Sequence, residues 1–165
     1  MRARGFTLIE VLVVVVILGV LAAALVLSTA GSGERRLERE AERLRSLIAY
    51  ACEQAELRGR EIGVSLNRTG YRFSEFERDS WVGFSEGELR PRIWLAGTSA
   101  LLSRDGNTVE VAEAYPDKPQ LLCLSSGELT PFRLELGLGE IAVRYRLDGT
   151  PDGAVALATV SDRAR

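Results

Sequence analysis

Gly5-Phe6-Thr7-Leu8-Ile9-Glu10 opens a stretch that stays apolar as far as Leu27. Arg2 and Arg4 stand just before it, and from Phe6 to Leu27 the single charged residue is Glu10. About 20 apolar residues at 1.5 Å rise each cover the hydrocarbon core of a bilayer, so the run has the length of one transmembrane helix. A carboxylate in the first turn of such a helix costs about 2.5–3.5 kcal/mol if it stays ionised and unpaired. A residue that costly calls for a cationic partner. The nearest source is a new amino group at Phe6, created by cutting the chain after Gly5. That cut leaves the whole apolar helix on the mature protein.

Two plainer readings compete. A secretory signal peptide also combines basic residues, an apolar run and a small-residue site, and Ser28-Thr29-Ala30 has the composition of such a site. Its apolar region is about 7–15 residues long, shorter than this one, and an acid within it is out of place. A plain membrane anchor accounts for the length but not for Glu10 or for the glycine before Phe6. Orientation follows from Arg2 and Arg4, which stay on the cytoplasmic side. Arg35, Arg36 and Arg39 lie beyond the span, interleaved with Glu34, Glu38, Glu40 and Glu42, and since acids count for little in this rule the charge argument alone is modest; the shortness of the leader adds to it, because five residues form no external domain. The rest of the chain then lies outside the cytoplasm, in the periplasm of a Gram-negative cell.

The Gly5–Glu10 hexapeptide resembles the class III signal sequence of type IV pilins and type II secretion pseudopilins. The resemblance implies cleavage after Gly5 by a prepilin peptidase and N-methylation of the new first residue, Phe6. It also implies that Glu10 pairs with the amino terminus of a neighbouring subunit in an assembled filament.

Beyond the apolar run the composition is that of one small domain on a stalk. The chain has 165 residues, 46% hydrophobic and 27% charged, and a formal charge of −2 that becomes more negative on loss of Arg2 and Arg4. No basic patch with interleaved aromatics is present, which argues against nucleic acid as a partner. Ala30-Gly31-Ser32-Gly33 carries glycines that lower helix propensity by roughly 1 kcal/mol each, and so predicts a bend or local melt. From Glu34 to Leu57 a helical period returns: Leu37, Ala41, Leu44, Ile48, Ala51 and Ala55 form one stripe, with Cys52 at its edge. The opposite face is Glu, Arg and Gln, with Glu40–Arg43 and Glu42–Arg45 spaced for weak ion pairs on a solvated surface. Gly59 is the predicted stop.

After Gly59 the period changes to that of strands. Ile62–Leu66 and Tyr71–Phe76 alternate on either side of Asn67-Arg68-Thr69-Gly70, which predicts a hairpin with a four-residue connection. Further strands are predicted at 81–84, 92–95, 108–112, 120–124, 132–136, 141–147 and 155–160, with a loop over 96–106. Turns are predicted at Asp105-Gly106-Asn107, Ser125-Ser126-Gly127, Gly137-Leu138-Gly139 and Asp148-Gly149. One long helix followed only by strands predicts an α+β fold with an antiparallel sheet.

A second set of residues narrows the resemblance. Ala55, Gly59, Ile62-Gly63-Val64, Gly70-Tyr71-Arg72-Phe73 and Trp81 look like the H-type minor pseudopilin of type II secretion. So does Leu121-Leu122-Cys123-Leu124-Ser125-Ser126-Gly127-Glu128-Leu129-Thr130-Pro131-Phe132. The likeness is weak over 83–118. It implies a pilin-like fold and four segments: a removed leader (1–5), a membrane and filament-core helix (6–28), an amphipathic helix packed on the sheet (29–58) and a periplasmic β-rich domain (59–165). The implied role is structural. Such a subunit sits near the tip of the pseudopilus and supports export of folded proteins across the outer membrane. Its implied partners are the prepilin peptidase, the major and other minor pseudopilins, the inner-membrane assembly platform and the lipid bilayer, and its place is the inner membrane, crossed once. A minor pilin that primes type IV pili is the alternative within the superfamily.

Chemistry of another kind finds little footing. There is no histidine, which removes a His-based triad and most catalytic zinc patterns, and no clustered catalytic set points to a membrane-tethered enzyme. No cofactor is expected. Cys52 and Cys123 are too far apart in sequence for a metal motif; they either bridge helix to sheet in an oxidising periplasm or stay buried as free thiols. Asp148 and Asp152 both stand in Asp-Gly-Thr-Pro-Asp-Gly, where Pro-Asp-Gly is what a tight turn uses, and their spacing does not fit an EF-hand, so no metal site is assigned.

Overall fold

The structure, a computed structural model, describes residues 8–29 and 32–161, with side chains for 8–21 and 32–160. Two helices, α1 (Leu8–Thr29) and α2 (Ser32–Arg58), precede the strands. Gly5, Phe6 and the Ala30-Gly31 pair lie outside the described residues, as do residues 1–4. Gly33, expected at a bend, is inside α2.

The stripe on α2 faces inward as its spacing requires: Leu37, Ala41, Leu44, Ile48, Ala51 and Ala55 are fully buried, and Leu47 and Cys52 join them. At the C-terminus Gly59 takes a left-handed φ of 64°. The Arg60 N–H then reaches the carbonyl of Ala55 and the Gly59 N–H that of Glu56. These paired bonds satisfy two of the last helical carbonyls and end the helix.

The strands are β1 (Ile62–Asn67), β2 (Gly70–Glu77), β3 (Ser80–Gly83), β4 (Arg92–Ile93), β5 (Thr98–Arg104), β6 (Asn107–Val109), β7 (Leu121–Cys123), β8 (Phe132–Leu138), β9 (Val143–Gly149) and β10 (Val155–Ser161). They form two sheets rather than one. The first has the order β3-β2-β1-β7 with β4 also on β2; the second has the order β10-β9-β8-β5-β6. Every pairing is antiparallel. The chain builds most of the first sheet, starts the second with β5 and β6, returns to the first for β7, and completes the second with β8–β10. Helix α2 packs on β1 and β7 of one sheet and on β8, β9 and β10 of the other, so its buried stripe is what joins them.

Several expected boundaries shift. The loop predicted over 96–106 contains β5, which pairs with β8 from Thr98 to Ser103. Within β5 only Leu102 is buried, so the alternation that marks a strand is faint there. In the first hairpin Asn67 pairs with Gly70, leaving a two-residue connection, Arg68-Thr69. The Asn67 carboxamide oxygen accepts the N–H groups of Thr69 and Gly70 at 3.0 and 2.7 Å and so fixes the turn. Gly70 itself admits no side chain: an added Cβ would lie 2.0 Å from the backbone oxygen of Arg92 in β4. Gly137 and Gly149, read as turn residues, are inside β8 and β9. The β9–β10 turn lies just after them and runs through Thr150–Gly153.

Candidate functional site

Helix α1 is apolar on every side and carries one acid, Glu10, in its first turn. Its described side chains are exposed along the whole stretch, from Leu8 at 85% to Leu21 at 55%. No stripe distinguishes one face from another, and Gly19 has nothing within 4 Å of where a Cβ would stand. Among the described residues no helix is long and apolar enough to cross a membrane. The part of α1 with described side chains ends at Leu21, about 21 Å of helix. The backbone continues to Thr29, 22 residues in all, which is about 33 Å.

Helix α2 supplies the second half of the site by holding the domain beneath α1. Cys52 on α2 and Cys123 on β7 are joined in a disulfide with a Cα–Cα distance of 4.8 Å. Both cysteines are buried. The bridge ties the helix to the outer strand β7 of the first sheet.

One residue on α2 escaped sequence reasoning. Glu40, expected on the solvated face, is only 3% exposed. It pairs with Arg43, and its Oε1 accepts a 3.4 Å contact from the Tyr71 hydroxyl on β2. Tyr71 in turn lies 4.7 Å from the Trp94 ring. Burial, and then the Glu40 carboxylate beside it, pushes the Tyr71 hydroxyl up to about 12. Spacing held the signal: Glu40 follows Leu37 by three positions and precedes Leu44 by four, so it shares their face. The other expected pair, Glu42–Arg45, forms on the surface at 2.6 Å.

The aspartates of the last turn are occupied. Asp148 accepts from Arg133 at 2.9 Å and from Arg146 at 2.7 Å. Asp152 accepts from the Thr150 hydroxyl and the Ala154 N–H. Among the described residues no group of three His, Cys, Asp or Glu side chains is arranged to hold a metal ion. The arrangement offers surfaces: an uncovered apolar helix with an acid at its start, carried by a cross-linked helix–sheet domain.

Comparison with known proteins agrees with this division. Residues 1–26 match the prokaryotic N-terminal methylation motif, and residues 40–153 match the family described as type II transport protein GspH. The type II secretion system protein H of Pseudomonas aeruginosa is 42% identical over 148 residues, covering 82% of this chain and 84% of that one. The protein of the same name from Klebsiella pneumoniae is 29% identical over 170 residues, covering 92% and 97%. In three dimensions the fold is similar to the minor pseudopilin EpsH from the type 2 secretion system of Vibrio cholerae. There the TM-score is 0.63 at 18% identity, over 79% of this chain and 99% of that one. The solution structure of E. coli GspH gives a TM-score of 0.59 at 21% identity, over 82% and 95%.

Proposed function

The chain belongs to the type II transport protein GspH family, and from that premise we propose that it is a non-enzymatic minor pseudopilin, a structural subunit of the secretion pseudopilus near its tip. The observation that carries this reading is the contrast between α1, exposed and apolar all round, and α2, whose apolar stripe is already buried in its own domain. A helix with no polar face is stable only where lipid or other apolar helices surround it.

In this reading residues 1–5 are a leader, and a prepilin peptidase cuts after Gly5 and methylates Phe6. The precursor and the mature subunit wait in the inner membrane with the β-rich domain in the periplasm. The subunit then leaves the bilayer through the assembly platform and packs α1 against the same helix of the major and other minor pseudopilins. Glu10 pairs with the amino terminus of a neighbour, which offsets the cost of placing a carboxylate among apolar helices. Residues 59–165 face outward on the filament and support export of folded proteins through the outer membrane.

The test is chemical and genetic. Amino-terminal sequencing of membrane-extracted protein should begin at methylated Phe6, and Gly5→Val should accumulate the uncut precursor. A start at Gly31 would replace this reading with an ordinary signal peptide. Glu10→Leu should be cut and inserted normally yet fail to enter the filament; full secretion by that variant would remove the pairing.

A further inference from the structure

Helix α1 ends at Thr29 and α2 begins at Ser32, so three Cα–Cα steps, about 11 Å at most, separate them. A bilayer that holds α1 has a hydrocarbon core of about 30 Å, with a headgroup layer of roughly 5–7 Å on either side. A helix of 22 residues fills that core and leaves Thr29 among the headgroups. The end of the domain where α2 starts is therefore the end that meets lipid. The topology collects particular loops there. Strand β1 leaves the far end of α2 and runs back, so its turn into β2, Arg68-Thr69, lies at this near end. Strand β4 pairs with the first residues of β2, placing Ile93 beside Gly70. The connections from β4 to β5 and from β8 to β9 meet here too, the Gly139 N–H donating to the Gly97 carbonyl at 3.0 Å. The second of them grips the start of α2: a Cβ added to Gly33 would stand 2.7 Å from the Ile141 Cδ1.

These two connections have an unusual composition for a surface turned to water. One reads Ile93-Trp94-Leu95-Ala96-Gly97 and the other Gly139-Glu140-Ile141-Ala142, with Glu140 the one charge in both. The turns at the opposite end of the sheets each carry an acid: Asp79 between β2 and β3, Asp105 between β5 and β6, and Asp152 between β9 and β10. Trp94 is buried and donates its indole N–H to the Asn67 carbonyl at 2.9 Å. That anchor leaves the adjoining Ile93 81% exposed, more than any other large apolar side chain described outside α1. Ala96 and Ala142 are exposed as well, and Leu95 and Ile141 are half-buried. A single exposed apolar residue needs no explanation. A rim of them at the exit of an all-apolar helix is continuous with the surface that helix offers to lipid, and the boundary between headgroups and acyl chains accepts such side chains.

We propose that this rim, led by Ile93 with Leu95, Ala96, Ile141 and Ala142, rests in the headgroup layer of the membrane that holds α1. It is a second lipid contact, and it seats the β-rich domain on the bilayer before the subunit enters a filament. The inference rests on the membrane reading of α1, and the experiment separates the two. The full chain is reconstituted in vesicles of phosphatidylethanolamine and phosphatidylglycerol that contain a lipid spin-labelled near its headgroup. An environment-sensitive fluorophore is attached, in separate preparations, to Val13→Cys, Ala96→Cys, Ala142→Cys and Asn107→Cys, the last at the opposite end of the domain; both native cysteines are held in the disulfide. Blue-shifted emission from the Val13 probe reports insertion of α1. Quenching at Ala96 and Ala142 should exceed that at Asn107 at least threefold. Ile93→Asp should bring the Ala142 value down to that of Asn107, whereas Ile93→Leu should not, and neither should alter the Val13 emission. Rim quenching equal to that at Asn107, or indifferent to Ile93→Asp, would overturn the rim contact while leaving the membrane helix intact. Loss of the threefold excess in vesicles of phosphatidylcholine alone would assign it to anionic lipid and overturn the apolar contact. A Val13 probe that stays in water would overturn the membrane reading and the rim with it.

Discussion

Helices α1 and α2 follow one another in the chain and have similar lengths, yet they solve opposite problems. Helix α2 has a face for carbon and a face for water, and the carbon face is closed over by strands of both sheets. Helix α1 has carbon on every face, and its described side chains remain exposed. Burial is worth roughly 25 cal/mol per Å² of apolar surface wherever it happens. For α2 it happens on folding, within the chain. For α1 it is deferred to a medium the chain does not contain. One polypeptide thereby separates the free energy that makes a stable domain from the free energy that makes a filament.

The sharpest way to break that comparison is to cut carbon from each helix in turn. Leu44→Ala with Ile48→Ala should cost roughly 2–5 kcal/mol per site, since both side chains are fully buried. Val13→Ala with Ile17→Ala should leave the domain's melt within about 0.5 kcal/mol. Removal of residues 1–29 should likewise leave a soluble, folded monomer, and thermal melts of these forms measure all three. A Leu44/Ile48 variant that melts like its parent would mean that the stripe faces filament neighbours rather than its own sheets.

The disulfide comes next. It closes a loop with a sequence separation of 71, and a loop of that size gives about 4 kcal/mol in the chain-entropy account. Cys52→Ser with Cys123→Ser, or reduction, should lower domain stability by up to that amount in urea unfolding. Insertion of α1 into membranes should not change. An equal loss in both would show that the two helices are not energetically separate.

A smaller effect lies at high pH. The Tyr71 hydroxyl is held at about 12 in the folded protein, against about 10 for a free tyrosine. A raised folded value means that the stabilising proton is fully present in both states below pH 10. Its contribution is then lost as pH climbs from 10 through 12, by about 3 kcal/mol in all. Tyr71→Phe should flatten that part of the slope, read from urea unfolding at pH 9 and pH 11.5. An unchanged slope would place the titration at Tyr115 or Tyr145, which burial also raises.

The smallest contrast uses two glycines. Gly59→Ala forces a side chain onto a φ of 64° and should cost about 1 kcal/mol. Gly19→Ala in α1 meets nothing within 4 Å and should leave the domain's melting temperature where it was. Matching shifts from the two substitutions would contradict the separation drawn above.

The reading of sequence against structure divides along the same line. Where a signal is local and repeats along the chain, residues alone carried it. The Gly5–Glu10 motif and the apolar run, the Leu37–Ala55 stripe, the stop at Gly59 and the alternation in β1 and β2 all depend on spacing within one element. Where an outcome depends on what packs from a distance, spacing was insufficient. The predicted single sheet is two, because the switches of β5 and β7 between layers are set by partners far away in sequence. Strand β5 lacks alternation and is a strand by virtue of β8. Glu40 has the composition of a surface residue and is buried because Tyr71 comes to meet it. The two cysteines could have remained thiols, and only the approach of β7 to α2 brings them within bonding reach. Periodicity reports which face of an element is apolar, whereas desolvation is decided by what the rest of the chain lays against that face.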